Sequence, residues 1–293
     1  MVTFRGGAAV SRSLDALTLA RAEVDGGTEL AAVIVDNASR DGTAQRAHDH
    51  ASWAELVELP RNTGFAAACN TGIRQVRDRD LIVLLNPDVE VPPDFLTRLG
   101  TLDWPADVAA RGPAIIDPNG VVEQSARGFP RARTGVLGRT SLLARVWPES
   151  RLLRDDLRAD PDSGSRKVDW VSGACLIVPA EMFRLVGLLD EGYFMYWEDA
   201  DWCHRAHALR YSVIYDPALS VIHHQGSSSR DRWAATTIAF HRSALRYWRV
   251  NVAKSRASTA AVAVALSIRC MLKLSSLATQ RAIRTLLARR TEP

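Results

Sequence analysis

Cysteine is scarce and scattered: Cys69, Cys175, Cys203 and Cys270 make four, with no Cys-x-x-Cys pair. That excludes a disulfide framework and paired-thiol metal chemistry. With no charged-then-apolar leader ahead of the first polar residues, a reducing cytosol fits best. Cys203-His204-x-x-His207 has zinc-like spacing but lacks a second pair of ligands, so the zinc reading is set aside. Long uncharged runs are missing too. The stretch Ala257 to Ile268 falls short of the ~20 apolar residues that cross a bilayer. Acid is nearly absent from one end: from Arg230 onward 13 Arg and Lys face only Asp231 and Glu292, whereas the preceding residues carry 24 basic and 31 acidic groups. The net charge of +4 therefore conceals an acidic body and a basic tail, which suggests an anionic surface as the tail's partner.

What is present suits one large or two small globular domains with ample core: 293 residues, 47% hydrophobic and 24% charged. Leu81 to Leu85 is an unbroken apolar run, which reads as a strand buried on both faces. It stops at Asn86-Pro87, and Pro87 thrusts Asp88 out at the carboxyl edge of the sheet, where open α/β sheets bind ligands. Taken alone, Asn-Pro-Asp reads first as ordinary turn chemistry, and it is residues further along the chain that favour the functional reading. Leu30 to Val35 is a second such strand and ends in Asp36-Asn37-Ala38-Ser39. Val2-Thr3-Phe4 looks like the end of another strand. Helices are expected over Ser11 to Glu23, Asp41 to His50, Phe65 to Val76 and Pro93 to Leu102, with a short strand at Leu56 to Leu59. This strand–helix alternation marks a doubly wound half-domain.

Past residue 105 the pattern changes. Val108 to Ile116 reads as a strand entering a hairpin at Asp117-Pro118-Asn119-Gly120, and Gly128 to Lys167 as a loop region facing substrate. Val168 to Pro179 is expected as one strand, and Ser212 to Tyr215 and Leu219 to Ile222 as two short ones. Between them Tyr193 to Trp197 forms an aromatic loop feeding an acidic helix start at Glu198, Asp199 and Asp201, the helix running to Leu209. Such a wall can stack on a sugar ring, and a carboxylate at its rim can take a proton from an attacking hydroxyl. Glu198 and Asp199 point about 100° apart on a helix, so they divide the roles. Asp199 is expected as the base, Glu198 as the group that orients the acceptor. His223-His224 stands at a polar strand end, where a neutral imidazole could join Asp88 on a metal.

Six motifs in order carry a resemblance: Val-Asp-Asn-Ala-Ser (35–39), Asn-Thr-Gly-Phe-Ala (62–66), Leu-Asn-Pro-Asp-Val (85–89), Trp-Val-Ser-Gly-Ala-Cys (170–175), Phe-Met-Tyr-Trp-Glu-Asp-Ala-Asp (194–201) and His-His-Gln-Gly-Ser-Ser (223–228). Over roughly residues 2 to 230 the chain resembles the inverting family 2 glycosyltransferases, in their bacterial rhamnosyltransferase-like branch. The resemblance implies an α/β fold of GT-A type, a doubly wound and mostly parallel sheet with helices on both faces, and here a C-terminal helical extension. It implies a transferase domain over 1–229, with a nucleotide-binding half to about 105 and an acceptor half from about 106, followed by a basic helical tail over 230–293.

By position, the resemblance places the nucleotide sugar against Thr3, Arg5, Asp36, Asn62, Asn70, Asn86 and Asp88, with Asp36 holding the base. Asp88 and His223 would bind Mg²⁺ or Mn²⁺, Asp199 would be catalytic, and Trp170, Gly173, Ala174, Trp197 and Glu198 would form the sugar and acceptor site. The donor would be dTDP- or UDP-linked, with L-rhamnose the sugar that the branch implies, and the acceptor a glycan or lipid-linked glycan. One departure is that relatives begin with a full apolar strand, whereas here only Val2 to Phe4 remains and Arg5 replaces an Asn. The expectation is a native start upstream of Met1.

The tail reads as two helices, Asp231 to Val250 and Ser255 to Arg290. In the second, Arg269, Lys273, Ser276, Gln280 and Arg284 form one polar stripe, with Leu266, Met271, Leu274, Leu277 and Leu287 off it. It either packs on the body or lies on the cytoplasmic face of a membrane. Two other function classes are weighed: an idle nucleotide-sugar-binding module, which would not need Asp199 beside an aromatic wall, and a nucleic-acid binder using the tail. The tail lacks any recognised reading motif, so no nucleic acid is expected.

Overall fold

The computed structural model describes residues 1–24, 29–130, 164–224 and 233–290, with side chains as far as 281. Most of the expected loop at Gly128 to Lys167 therefore lies outside the described residues. The first half alternates as its apolar runs demand: β1 (Val2–Thr3), α1 (Gly7–Ala22), β2 (Val33–Asp36), α2 (Thr43–His50), β3 (Glu55–Glu58), α3 (Phe65–Gln75) and β4 (Leu81–Leu85). Strands β1, β2 and β3 pair in parallel, with Val2 opposite Val35 and Val33 opposite Glu55. Then follow β5 (Val89–Glu90), α4 (Phe95–Gly100), β6 (Val108–Ile116), β7 (Ala126–Arg127), β8 (Arg166–Val168), β9 (Trp170–Val171) and β10 (Cys175–Pro179). Helices α5 (Ala180–Leu185) and α6 (Glu198–Ala208), strand β11 (Ser212–His223), and helices α7 (Trp233–Tyr247) and α8 (Arg256–Arg290) complete the chain.

The second sheet is mixed. Its order is β4-β10-β6-β11-β5, with β8 also on β11. β10 runs antiparallel to both β4 and β6, while β11 runs parallel to β6. The expected single strand from Val168 to Pro179 is broken into β8, β9 and β10, whose pieces take different partners: β8 pairs with β11, β9 with β7, and β10 lies between β4 and β6. The two short strands expected after it are one, β11, with a register shift between Asp216 and Ser220 where Pro217 has no N–H to give. The turn after β6 forms as expected, Asp117 Oδ1 accepting the N–H groups of Asn119 and Val121, and the returning chain makes a single bridge, Ile116 with Val122.

Between β2 and β4 lies an apolar cavity of about 590 Å³, whose walls include Met1, Val35, Ile82, Leu84, Phe95 and Leu99. The Met1 ammonium donates to Val33 O at 2.8 Å inside it, and burial lowers its pKa. Both sheets thus present an edge to an unfilled slot.

The tail packs on the body through α7. Ser243 Oγ donates to Met195 O at 2.8 Å, Arg246 grips Asp190 with both ends of its guanidinium, and Asn251 Nδ2 donates to Asp201 Oδ1 at 2.8 Å. α8 lies on α7 and buries Val262 and Leu266 beside Trp248. The uncharged stretch Ala257 to Ile268 is too short to cross a bilayer, but the helix around it passes that test by length and composition alone: Arg256–Arg281 is 26 residues, and 11% of its most apolar window is buried. Counting only the uncharged stretch missed how few charges follow it.

Candidate active site

The end of β4 is fixed by Asn86, whose N–H donates to Ala174 O at 2.9 Å, and by a turn in which Val89 N–H bonds Asn86 O. The turn chemistry and the functional reading therefore coincide. Asn86 Oδ1 is buried without a partner. Next to it, His223 at the end of β11 bridges two carboxylates: its Nε2 is 3.3 Å from Asp88 Oδ1 and its Nδ1 3.4 Å from Glu123 Oε2. Burial opposes a charge on this ring, but the hydrogen bonds and charges of Asp88 and Glu123 prevail and carry its pKa up to about 9. The imidazolium neutralises what would otherwise be an acidic pair.

A divalent cation could take that proton's place. Among the described residues no group of three or more His, Cys, Asp or Glu forms a metal cage. Asp88 and His223, beside the orphaned amide oxygen of Asn86, still fit Mg²⁺ or Mn²⁺, which are often held by one or two protein ligands together with phosphate oxygens.

Near these groups opens a cavity of about 510 Å³. Its walls join Asn86 and His223 to Trp170, Gly173, Ala174, Trp197, Glu198 and Asp199. Asp88 reaches it through His223. Tyr196 and Trp197 adopt left-handed backbone angles, φ 69° and 73°, and that costly pair turns the chain sharply into α6. Asp199 Oδ2 accepts the Gly173 N–H at 2.8 Å, and Oδ1 its neighbour Ala200 N–H at 2.8 Å. Gly173 keeps this approach uncrowded, since a Cβ there would stand 3.3 Å from both the Cβ and Oδ2 of Asp199 and press on them. Burial raises the pKa of Asp199 despite these donors and the nearby Arg127 guanidinium. Burial, then the charge of Asp199, pushes Glu198 well up too; its Oε2 has no partner. The rings form a wall: Trp197 stacks on Trp170 at 6.5 Å and meets Phe240 and Tyr247 of α7 at 5.7 and 5.2 Å.

Thr3, Arg5, Asp36 and Asn62 gather elsewhere, around the carboxyl ends of β1, β2 and β3. Asp36 lines a second cavity of about 550 Å³ with Ala38, Arg40, Leu59 and Pro60. Its carboxylate accepts both the N–H and the hydroxyl of Ser39, while the Arg5 N–H donates to Ser39 Oγ at 2.8 Å. Thr3 Oγ1 is buried without a partner, and Asn62 Oδ1 accepts the Gly64 N–H at 2.9 Å. Asn70 does not join them. Its amide donates to Leu189 O and Glu191 Oε1 and accepts from Leu189 N–H, so both ends are spent tying α3 to the chain ahead of the aromatic loop.

Several site residues were not singled out from the sequence. Asn37 braces Thr63 and Gly64, with Oδ1 accepting at 2.8 Å and Nδ2 donating at 3.1 Å, and its place beside Asp36 was the available signal. Glu123 was legible only as the return of a hairpin. Arg127 lies over the Trp170 ring at 4.9 Å, and Phe240, His241 and Lys273 of the tail line the cavity, which no local pattern announces.

Comparison with known proteins adds to this geometry. Residues 1–142 match the model of "Glycosyl transferase family 2". The chain is 32% identical over 254 residues to the N-acetylglucosaminyl-diphospho-decaprenol L-rhamnosyltransferase of Mycobacterium tuberculosis, covering 83% of this chain and 80% of that one. It is 24% identical to the dTDP-rhamnosyl transferase RfbF of Shigella flexneri, over 74% of this chain and 67% of that one. Among solved structures, the mannosyltransferase PcManGT of Pyrobaculum calidifontis, in complex with GDP-Man and Mn²⁺, superposes with a TM-score of 0.54 at 16% identity, covering 98% of this chain and 78% of that one.

Proposed function

This chain belongs to glycosyltransferase family 2, on its rhamnosyltransferase-like side, and from that premise we propose that it moves a sugar from a nucleotide-diphosphate donor to a lipid-linked acceptor with inversion. The fold is GT-A, α/β with a mixed sheet and a C-terminal helix, and the protein is a glycosyltransferase of cell-envelope glycan synthesis. L-rhamnose on dTDP is the donor we assign, by likeness to the relatives' names; solved fold neighbours carry UDP-GlcNAc and GDP-Man. The acceptor's lipid anchor follows the mycobacterial relative and the exposed apolar face of α8, which we place on the cytoplasmic surface of the membrane.

One observation supports this reading above the rest: Asp199 and His223 line a single cavity with Trp170 and Trp197, and the His223 ring lies 3.3 Å from the Asp88 carboxylate behind it. Asp199 takes the acceptor proton; its raised pKa brings it nearer the working pH of a base. Its backbone donors leave lone pairs free for that proton, and they hold the carboxylate still. Glu198 lines the same cavity and orients the acceptor. Asp36 and its Ser39 brace present an acceptor for the donor's base at the end of β2. A divalent cation held by Asp88 and His223 would supply charge neutralisation of the leaving diphosphate.

A donor panel with Mg²⁺ or Mn²⁺ and a prenyl-diphosphate-linked sugar, read by nucleotide release and by the anomeric configuration of the product, tests this. dTDP-rhamnose is expected to turn over fastest with inverted configuration. A product of retained configuration would overturn the single displacement.

A further inference from the structure

Helix α8 is turned inside out relative to a helix of a water-soluble surface. Its outward residues Val264, Ile268, Met271 and Leu272 are 48 to 65% exposed. Arg269 and Lys273 fall about half a turn round from them, on the side that buries Val262 and Leu266. Arg269 is half-buried with its Nε unpartnered, and Lys273 reaches the wall of the cavity that holds Asp199. Opposite on α7, His241 is 6% exposed; its Nδ1 engages Thr237 O at 2.8 Å and its Nε2 is buried without a partner on that same wall. α8 packs along α7, which brings Arg269 and Lys273 to the His241 side of the cavity; burial lowers the His241 pKa and their charges add to that. Two cations and an orphaned ring nitrogen gather where α7 meets α8, and Glu198 and Asp199 are the acids that line the same cavity; an anion from outside would find its donors on the tail side of it. An arriving anion favours the imidazolium, whose Nε2–H then donates.

The donor's diphosphate has its own place at the Asp88–His223 end, and these groups come from the tail, beyond the aromatic wall. We propose that Arg269, Lys273 and His241 form a second anion site, which binds the diphosphate of the lipid-linked acceptor while the outward face of α8 lies against the bilayer. The site rests on the lipid-linked reading above and deepens it: the tail helices recognise the acceptor's phosphates and so set which sugar hydroxyl reaches Asp199.

The test uses the full chain in EDTA, with geranylgeranyl diphosphate titrated against tryptophan fluorescence, and geranylgeraniol, inorganic diphosphate and phosphatidylglycerol vesicles as comparators. Arg269→Gln and Lys273→Gln are each expected to weaken geranylgeranyl diphosphate about 10-fold and together about 100-fold, with Arg269→Lys nearly restored. Geranylgeraniol and nucleotide–Mn²⁺ titrations should not move. Lys273 is exposed, so its variant keeps the fold even if Arg269→Gln melts early. Wild-type protein that does not bind the probe, variants that bind it equally, or losses shared in step with the nucleotide would each overturn the site. So would a loss confined to the vesicles, which would make it a headgroup contact. Binding is read without turnover: absent sugar transfer would count against the transferase reading alone, and unchanged variant binding against this site alone.

Discussion

Glu198 carries the clearest consequence of placing a single residue. It is 5% exposed, its Oε2 has no partner, and burial followed by the Asp199 charge lifts its pKa above the ordinary carboxylate value. The folded chain thus binds this proton more tightly than the unfolded one, so the group costs stability in full above its folded pKa, and the cost shrinks as pH falls below that value and vanishes below the unfolded pKa. Glu198→Gln is therefore expected to melt above wild type at neutral pH, by ~1.4 kcal/mol for each unit of the shift, with the gap closing on acidification. Thermal melts of both proteins across pH 4 to 8 check this; a gap that widens toward acid contradicts it. Asp199 was legible at this scale because an acid after an aromatic run is unusual. His241 was not, since a histidine on a helix face looks like any hydrogen-bonded core residue until its neighbours are known.

At the scale of elements, β4 and β6 fall where the apolar runs put them, because an uninterrupted buried run bounded by Asn-Pro or Asp-Pro leaves one solution. Strand direction was less legible. β10 enters between β4 and β6 from a distant stretch, and its antiparallel sense is set by that pairing, which local periodicity does not encode. The polar stripe of α8 was visible, but which way it faced depended on α7. The cavity between β2 and β4 yields a measurable expectation. Adding a five-residue apolar strand ahead of Met1 should fill it, move the ammonium to solvent and raise Tm by about 3 °C or more. An unchanged Tm with the extension cut readily by protease would show that the slot does not accept a strand.

Across the whole molecule, charge and apolar exposure match the membrane contact proposed above. The basic end beyond Arg230 carries an outward apolar face on α8, and α7 locks that end to the aromatic loop of the active site. Co-sedimentation with phosphatidylglycerol vesicles is expected, weakened about 10-fold by Ile268→Glu with Leu272→Glu, and not competed by oligonucleotide. Protein that stays in the supernatant, or that oligonucleotide displaces, would remove the membrane from the account. The deepest claim is that one cleft holds a proton acceptor at Asp199 and a leaving-group anchor at Asp88. Nucleotide–Mn²⁺ binding and nucleotide release should be measured side by side for Asp199→Asn and Asp88→Asn. Asp199→Asn is expected to bind as wild type does while release falls at least ~100-fold, and Asp88→Asn to lose metal-dependent binding. Substantial turnover by Asp199→Asn, or an unchanged metal titration for Asp88→Asn, would contradict it.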